Sequence, residues 1–171
     1  MSTVLWFTGL SGAGKTTIAE ILKARLEERG KSANILDGDV VRELLHTHLG
    51  FTPEDIKENN RLIAELAKER MNHFDFVLVP IISPFEESRK LARETIGSAF
   101  KEVYINASKE LVIKRDTKGL YKKAKEGRIT NLIGYHAEVP YEAPEYPDIE
   151  VRTGELSIGE AVDAIEKKLA L

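Results

Sequence analysis

Cysteine is absent from the 171 residues of this chain. A disulfide framework, a thiolate zinc site and a cysteine nucleophile are excluded together, and the composition fits a reducing compartment. An excess of positive charge is missing as well. With 25 Lys and Arg against 28 Asp and Glu, the formal net charge is −3, which speaks against a general nucleic-acid binder that works by neutralising phosphates. No apolar run approaches the ~20 residues that cross a bilayer, and the N-terminus lacks the basic start of a secretory leader. Repeats, low-complexity tracts and breaks in composition are lacking too, so nothing marks a linker. These absences lead to the expectation of one cytoplasmic domain over residues 1–171, with neither nucleic acid nor membrane as a partner.

What is present alternates short apolar runs with longer amphipathic ones, the pattern of a parallel sheet with crossover helices. Thr3–Thr8 reads as a buried central strand. Lys15–Arg29 carries Ile18, Ile21, Leu22 and Leu26 at helical spacing and stops at Gly30. Further strands are expected at Asn34–Leu36, Phe76–Ser83, Glu102–Asn106 and Glu150–Arg152. Helices are expected from Val40 to about His48, behind the cap Thr52 to about Asn72, with Pro53 first in the helix and Asp55 as the acid of a capping box, from Pro84 to near Gly97, after Ser108, and after Ser157, where Glu160 completes a second capping box. Residues 116–147 turn basic and then rich in proline and tyrosine, which marks a lid or binding loop. Ligands of such a sheet sit at the carboxyl ends of its strands.

Between the first strand and the first helix, Gly9-Leu10-Ser11-Gly12-Ala13-Gly14-Lys15-Thr16 satisfies G-x-x-x-x-G-K-[ST]. Its glycines let successive N–H groups of Gly9, Ser11, Gly12, Ala13 and Gly14 turn inward as a nest for phosphate oxygens. The helix beginning at Lys15 adds the positive end of its dipole. Lys15 offers a mobile cation to the β- and γ-phosphates of ATP, Thr16 a hydroxyl to Mg²⁺, and Thr17 follows in the first turn. The fold class is therefore α/β, a three-layer P-loop NTPase of nucleotide-kinase type with a parallel sheet, flanking helices and a basic lid. A GTPase is disfavoured, because Thr117-Lys118-Gly119-Leu120 has leucine where the guanine motif needs an acid. The strand 76–83 carries no Walker-B acid either. The carboxylates instead lie in Asp37-Gly38-Asp39 at the end of the second strand, which suits a small-molecule kinase.

In these segments the sequence resembles the adenylylsulfate (APS) kinases. The resemblance rests on GLSGAGKTT (9–17), LDGD (36–39) with Arg42, LGF (49–51), Glu58-Asn59, ISP (82–84), RDTKGLYKKA (115–124) and PYEAPEYP (140–147). It implies transfer of a phosphoryl group from ATP to the ribose 3′-hydroxyl of APS, with Mg²⁺ as the metal and a homodimer as the assembly. By the same resemblance Asp39 is the acid at the acceptor hydroxyl and, with Lys15, the catalytic pair. Arg42 is an acceptor-anion ligand and Phe51 one face of an aromatic clamp. Asn59, Ser83 and Lys118 fall at acceptor-side positions, and Arg115 packs against the ATP base. Lys118, Lys122, Lys123 and Arg128 belong to the lid.

The departures fall on the acceptor half. Ile56 stands where the family has an acceptor-binding arginine, and Leu132 where it has the second clamp aromatic, with Lys57 or Tyr135 as the candidates to compensate. Losing one charge-assisted contact costs roughly 1.5–3 kcal/mol and one stacking face roughly 1–3 kcal/mol. Two rivals thus remain: a kinase of the same build acting on another nucleotide-activated acceptor, and a nucleotide-binding subunit without turnover. Asp37 is expected to be mainly structural or to stand behind the metal. His46 and His48 lie two apart on an expected helix and point away from each other, so both are read as surface histidines.

Overall fold

The computed structural model describes residues 2–171. Five strands form one sheet, β1 (Thr3–Thr8), β2 (Ala33–Ile35), β3 (Phe76–Pro80), β4 (Phe100–Asn106) and β5 (Ile149–Arg152), in the order β2-β3-β1-β4-β5. All four pairings are parallel. The helices are α1 (Lys15–Glu28), α2 (Gly38–Leu44), α3 (Pro53–Arg70), α4 (Glu86–Ile96), α5 (Lys109–Arg115), α6 (Leu120–Lys125) and α7 (Ile158–Leu169). None is long and apolar enough to cross a membrane.

The alternation of β1 divides the core into the two layers that a parallel sheet requires. Leu5 and Phe7 pack with Ile18, Leu22 and Leu26 of α1 and Ile165 of α7. Val4 and Trp6 face the other way, against Ile63 and Ala67 of α3 and Ala92 of α4. Both capping boxes expected from sequence are formed, Thr52 with Asp55 and Ser157 with Glu160. β1 is thus central and clamped on both faces, so the loop that follows it is held by rigid neighbours.

Of the boundaries that differ from the sequence expectation, three shape the site. β3 stops at Pro80, not Ser83. Proline has no N–H to give to a ladder, and the chain beyond it bends across the end of β1, where the Ile82 carbonyl accepts from Thr8 Oγ1 at 2.7 Å. α4 starts at Glu86, not Pro84, because the Pro84 carbonyl accepts from the Glu142 N–H of the lid segment at 2.8 Å. α2 ends at Leu44 rather than near His48. The N–H groups of Leu45 and His46 both reach the Val41 carbonyl, which closes the helix and turns His46 inward.

Candidate active site

The phosphate loop leaves β1 at Gly9, whose φ of 153° belongs to glycine; a Cβ there would lie 2.5 Å from the Ile105 carbonyl oxygen. Gly12 and Gly14 also have positive φ, 81° and 111°, and Gly14 is the residue before α1. The curled loop is braced from outside. Thr153, just past β5, donates from Oγ1 to the Ala13 carbonyl at 2.8 Å, and Tyr121 donates its hydroxyl to the Ser11 carbonyl at 2.8 Å. Arg115 reaches the Gly12 carbonyl at 3.4 Å and Thr153 Oγ1 at 3.3 Å.

Lys15 folds back into the loop and donates to the Gly9 and Leu10 carbonyls, each at 2.8 Å. Burial lowers its pKa to about 7; the Lys118 cation pushes the same way, and Asp39 and Asp37 oppose both. Two strands over, past the end of β2, Asp37 caps α2 by accepting from the N–H groups of Asp39 (3.0 Å) and Val40 (3.3 Å). Its other oxygen accepts from Thr16 Oγ1 at 2.8 Å. The cap therefore fixes Asp39 at the cleft, where it is exposed and forms an ion pair with Lys118. Arg42, one turn further on α2, places its guanidinium 4.5 Å from the centre of the Phe51 ring and donates to the Gly50 carbonyl.

A cavity of about 420 Å³ joins these parts, within the range of small-molecule sites. Ser11, Gly12, Gly14, Lys15, Thr16 and Thr17 line its phosphate end. Every acceptor-side residue expected from sequence lines the rest: Asp39, Arg42, Phe51, Asn59, Ser83, Lys118 and Leu132. Ile56 lines it as well, although it is only 3% exposed and packs into an apolar cluster with Phe85 and Val139. Ser83 has a strained φ of 47° and a buried hydroxyl with no hydrogen-bond partner. Its carbonyl accepts from Arg89 Nη1 at 2.8 Å.

Other expected residues stand apart. Gly9 and Ala13 shape the nest from behind, and Arg115 braces the back of the loop instead of lining the cavity. Lys122, Lys123 and Arg128 are exposed and do not line it; Arg128 pairs with Glu126. Neither candidate compensator lines it: Lys57 pairs with Glu87 on the surface, and Tyr135 packs edge-on against Tyr121. The expectation for His46 was wrong. Its ring is buried, only 8% exposed, and Nδ1 lies 2.7 Å from Asn59 Oδ1. Helical spacing placed it outside because it assumed a helix that has already ended.

Sequence reasoning also passed over Thr153 and Arg89. Thr153 was findable, since it follows a strand at the sheet end where ligands bind. Arg89 gave no signal. It sits in a charged helical run, yet it is 3% exposed and joins the Ser83 carbonyl, the Glu142 carbonyl (2.7 Å) and the Glu102 carboxylate (2.8 Å). Burial raises the Glu102 carboxyl above its usual range, against the pull of Arg89.

A phosphate nest at the end of a central parallel strand, an exposed carboxylate beyond the strand two places away and a second-substrate cavity between them define a P-loop small-molecule kinase. Comparison with known proteins narrows the class. The chain belongs to the adenylylsulphate kinase family, whose model matches residues 1–152. It is 44% identical to the adenylyl-sulfate kinase of Paraburkholderia xenovorans over 95% of this chain and 89% of that one. Against the adenylyl-sulfate kinase of Staphylococcus carnosus the identity is 48%, over 96% and 82%. The solved APS kinase CysC of Mycobacterium tuberculosis, in complex with AMPPNP and APS, superposes with a TM-score of 0.94 at 38% identity, over 99% of this chain and 98% of that one.

Proposed function

We propose that this chain transfers the γ-phosphoryl group of ATP to the ribose 3′-hydroxyl of APS, giving ADP and 3′-phospho-APS. The observation that carries the reading is the single cavity lined by Lys15 and the nest, by Asp39, and by Phe51 and Leu132. Residues 1–171 act as one kinase domain, with 116–147 as its lid.

In this reading the nest and Lys15 bind the β- and γ-phosphates, and Asp39 accepts the hydrogen bond of the acceptor hydroxyl. The hydroxyl oxygen attacks the γ-phosphorus in line, its proton passes to Asp39, and the bond to the β-phosphate oxygen breaks with its electrons leaving on ADP. Lys15 offsets charge on the transferring group, and Lys118 meets the anionic part of the acceptor at the cavity. Arg42, held over Phe51, meets the anionic part of the acceptor, while Phe51 and Leu132 enclose its base. Positioning and electrostatics supply the acceleration.

Mg²⁺ fits the Thr16 hydroxyl backed by Asp37, an all-oxygen set suited to a hard cation. Thr16, with Asp37 behind it, would hold the ion, which would supply positive charge against the phosphates.

The test is ADP release with Mg²⁺, ATP and APS. Saturable APS-dependent turnover is expected, falling by about 10²–10⁴ in Asp39→Ala with ATP affinity nearly unchanged. The apolar burial of Ile56 favours one second reading, a different nucleotide-activated acceptor. ATP binding without APS-dependent turnover, together with turnover of another nucleotide-activated acceptor, would select it.

A further inference from the structure

Asn59 and Asn60 follow each other on α3, are both nearly fully buried, and both line the cavity. Their amides are fixed in opposite senses. Asn60 donates from Nδ2 to the Ile56 carbonyl at 2.7 Å, which leaves its Oδ1 without a partner. Asn59 has the reverse arrangement: its Oδ1 is taken by His46 Nδ1 at 2.7 Å. An amide oxygen can only accept, so the proton of that bond sits on His46 Nδ1. Among the described residues no other hydrogen bond holds the Asn59 side chain, and its NH₂ group is not a buried atom lacking a partner.

We propose that His46 is a positioning residue for acceptor binding: it fixes the Asn59 amide so that the NH₂ end, not the carbonyl, faces the acceptor nucleotide. The inference rests on the APS-kinase reading and adds to it a residue that touches neither substrate. His46 can do this because the chain closes α2 early. Its own N–H is bonded to the Val41 carbonyl and its carbonyl to the Leu49 N–H, so the ring is anchored from both sides of the backbone. An amide without this partner has two orientations of similar energy; with it, a hydrogen-bond acceptor on the ligand, a ring nitrogen or an anionic oxygen, meets a donor each time. The orientation also selects against ligands that present a donor at that point, since two N–H groups would then face each other in a buried site.

A double-mutant cycle read as KM for APS and for ATP tests this. His46→Leu removes the donor and is expected to raise KM for APS about tenfold, the worth of one hydrogen bond, with KM for ATP changed less than about twofold. His46→Asn, which keeps a donor near the position of Nδ1, is expected to stay within about threefold of the wild type. In an Asn59→Ala background His46→Leu should have no further effect on KM for APS, because its route is gone. An undiminished effect in that background, or equal rises in both KM values, overturns the proposal and leaves His46 a packing residue. Nitrogen-15 spectra of the wild-type histidine rings give a readout that survives an unstable variant: Nδ1 of His46 must be protonated, and an unprotonated Nδ1 also overturns it. A wild-type protein that does not turn over APS defeats the functional reading and this inference with it. Turnover with unmoved KM values defeats this inference alone.

Discussion

Lys15 should take up a proton when nucleotide binds. It is buried, has two carbonyl acceptors and lies near the Lys118 cation, and its pKa is about 7. A neutral amine still has two protons to give, enough for the Gly9 and Leu10 carbonyls. At pH 8 roughly nine-tenths of Lys15 is therefore neutral. Phosphate oxygens brought against Nζ favour the ammonium form, so binding should draw in roughly 0.9 proton per site at pH 8. The phosphate groups of the nucleotide are themselves almost fully ionised at that pH and contribute little. Above pH 7 the affinity should fall by up to about tenfold per pH unit, until the pKa of the bound state is reached. Titration calorimetry of AMPPNP in two buffers of different ionisation enthalpy measures the uptake directly. Lys15→Met should abolish it. Lys118→Met removes the cation that pushes Lys15 down and frees Asp39 to pull it up, so uptake at pH 8 should shrink. Heats independent of buffer at pH 8, or the same uptake in Lys15→Met, would refute the reasoning.

The same depressed pKa has a stability sign. Between about pH 7 and its unfolded value, the unfolded chain binds a proton that folded Lys15 does not, so this group's contribution to stability rises with pH across that window and is least favourable below pH 7. Lys15→Met should flatten that slope in melting curves run from pH 6 to 9. Gly9→Ala places a methyl 2.5 Å from the backbone oxygen of Ile105 at a φ suited to glycine; expected are loss of AMPPNP binding and a lower melting temperature. Thr153→Val keeps the shape of the side chain but leaves the Ala13 carbonyl unpaired in a buried place, at a cost of about 1–3 kcal/mol. That is a drop of several degrees in the melting midpoint, with weakened nucleotide binding. Ile56→Arg puts a charge among Phe85 and Val139, and thermal denaturation should show about 2 kcal/mol or more lost.

What could be read from the sequence was what is decided locally. The phosphate loop, both capping boxes and the order of strands and helices follow from residue types at fixed spacing, and the acceptor-side residues gathered in the cavity as the resemblance implied. The misses are tertiary. Arg89 looks solvated in Glu86–Ile96 and becomes buried only because the Ser83, Glu142 and Glu102 oxygens converge on it from three other segments. β3 ends at Pro80, through which a ladder cannot continue, and the sequence did carry that warning; the positive φ of Ser83 beyond it had no such signal. The tie of Arg115 to Thr153, a residue 38 positions away, is likewise invisible in the sequence.

These misses share a consequence for the acceptor half. Where the family has an arginine, this chain has Ile56 in a small apolar cluster, so charge recognition there cannot come from α3. It has to come from Arg42 and Lys118, and both are engaged within the protein: Arg42 with Phe51 and Gly50, Lys118 with Asp39. Surface ion pairs of this kind hold weakly, typically within about 1 kcal/mol, and Asp39 and Lys118 are both well exposed. A phosphate or sulfate group entering the cleft can therefore draw Lys118 away at little cost, and that same step leaves the Asp39 carboxylate free to accept from the acceptor hydroxyl. Mutating Lys118 thus removes two things at once, an anion ligand and the partner of the base. Lys118→Met should raise KM for APS while leaving Asp39 more available, so kcat should fall far less than in Asp39→Ala. Equal losses of kcat in the two variants would mean that Lys118 acts on the transferring phosphoryl group itself rather than on the occupancy of the acceptor site.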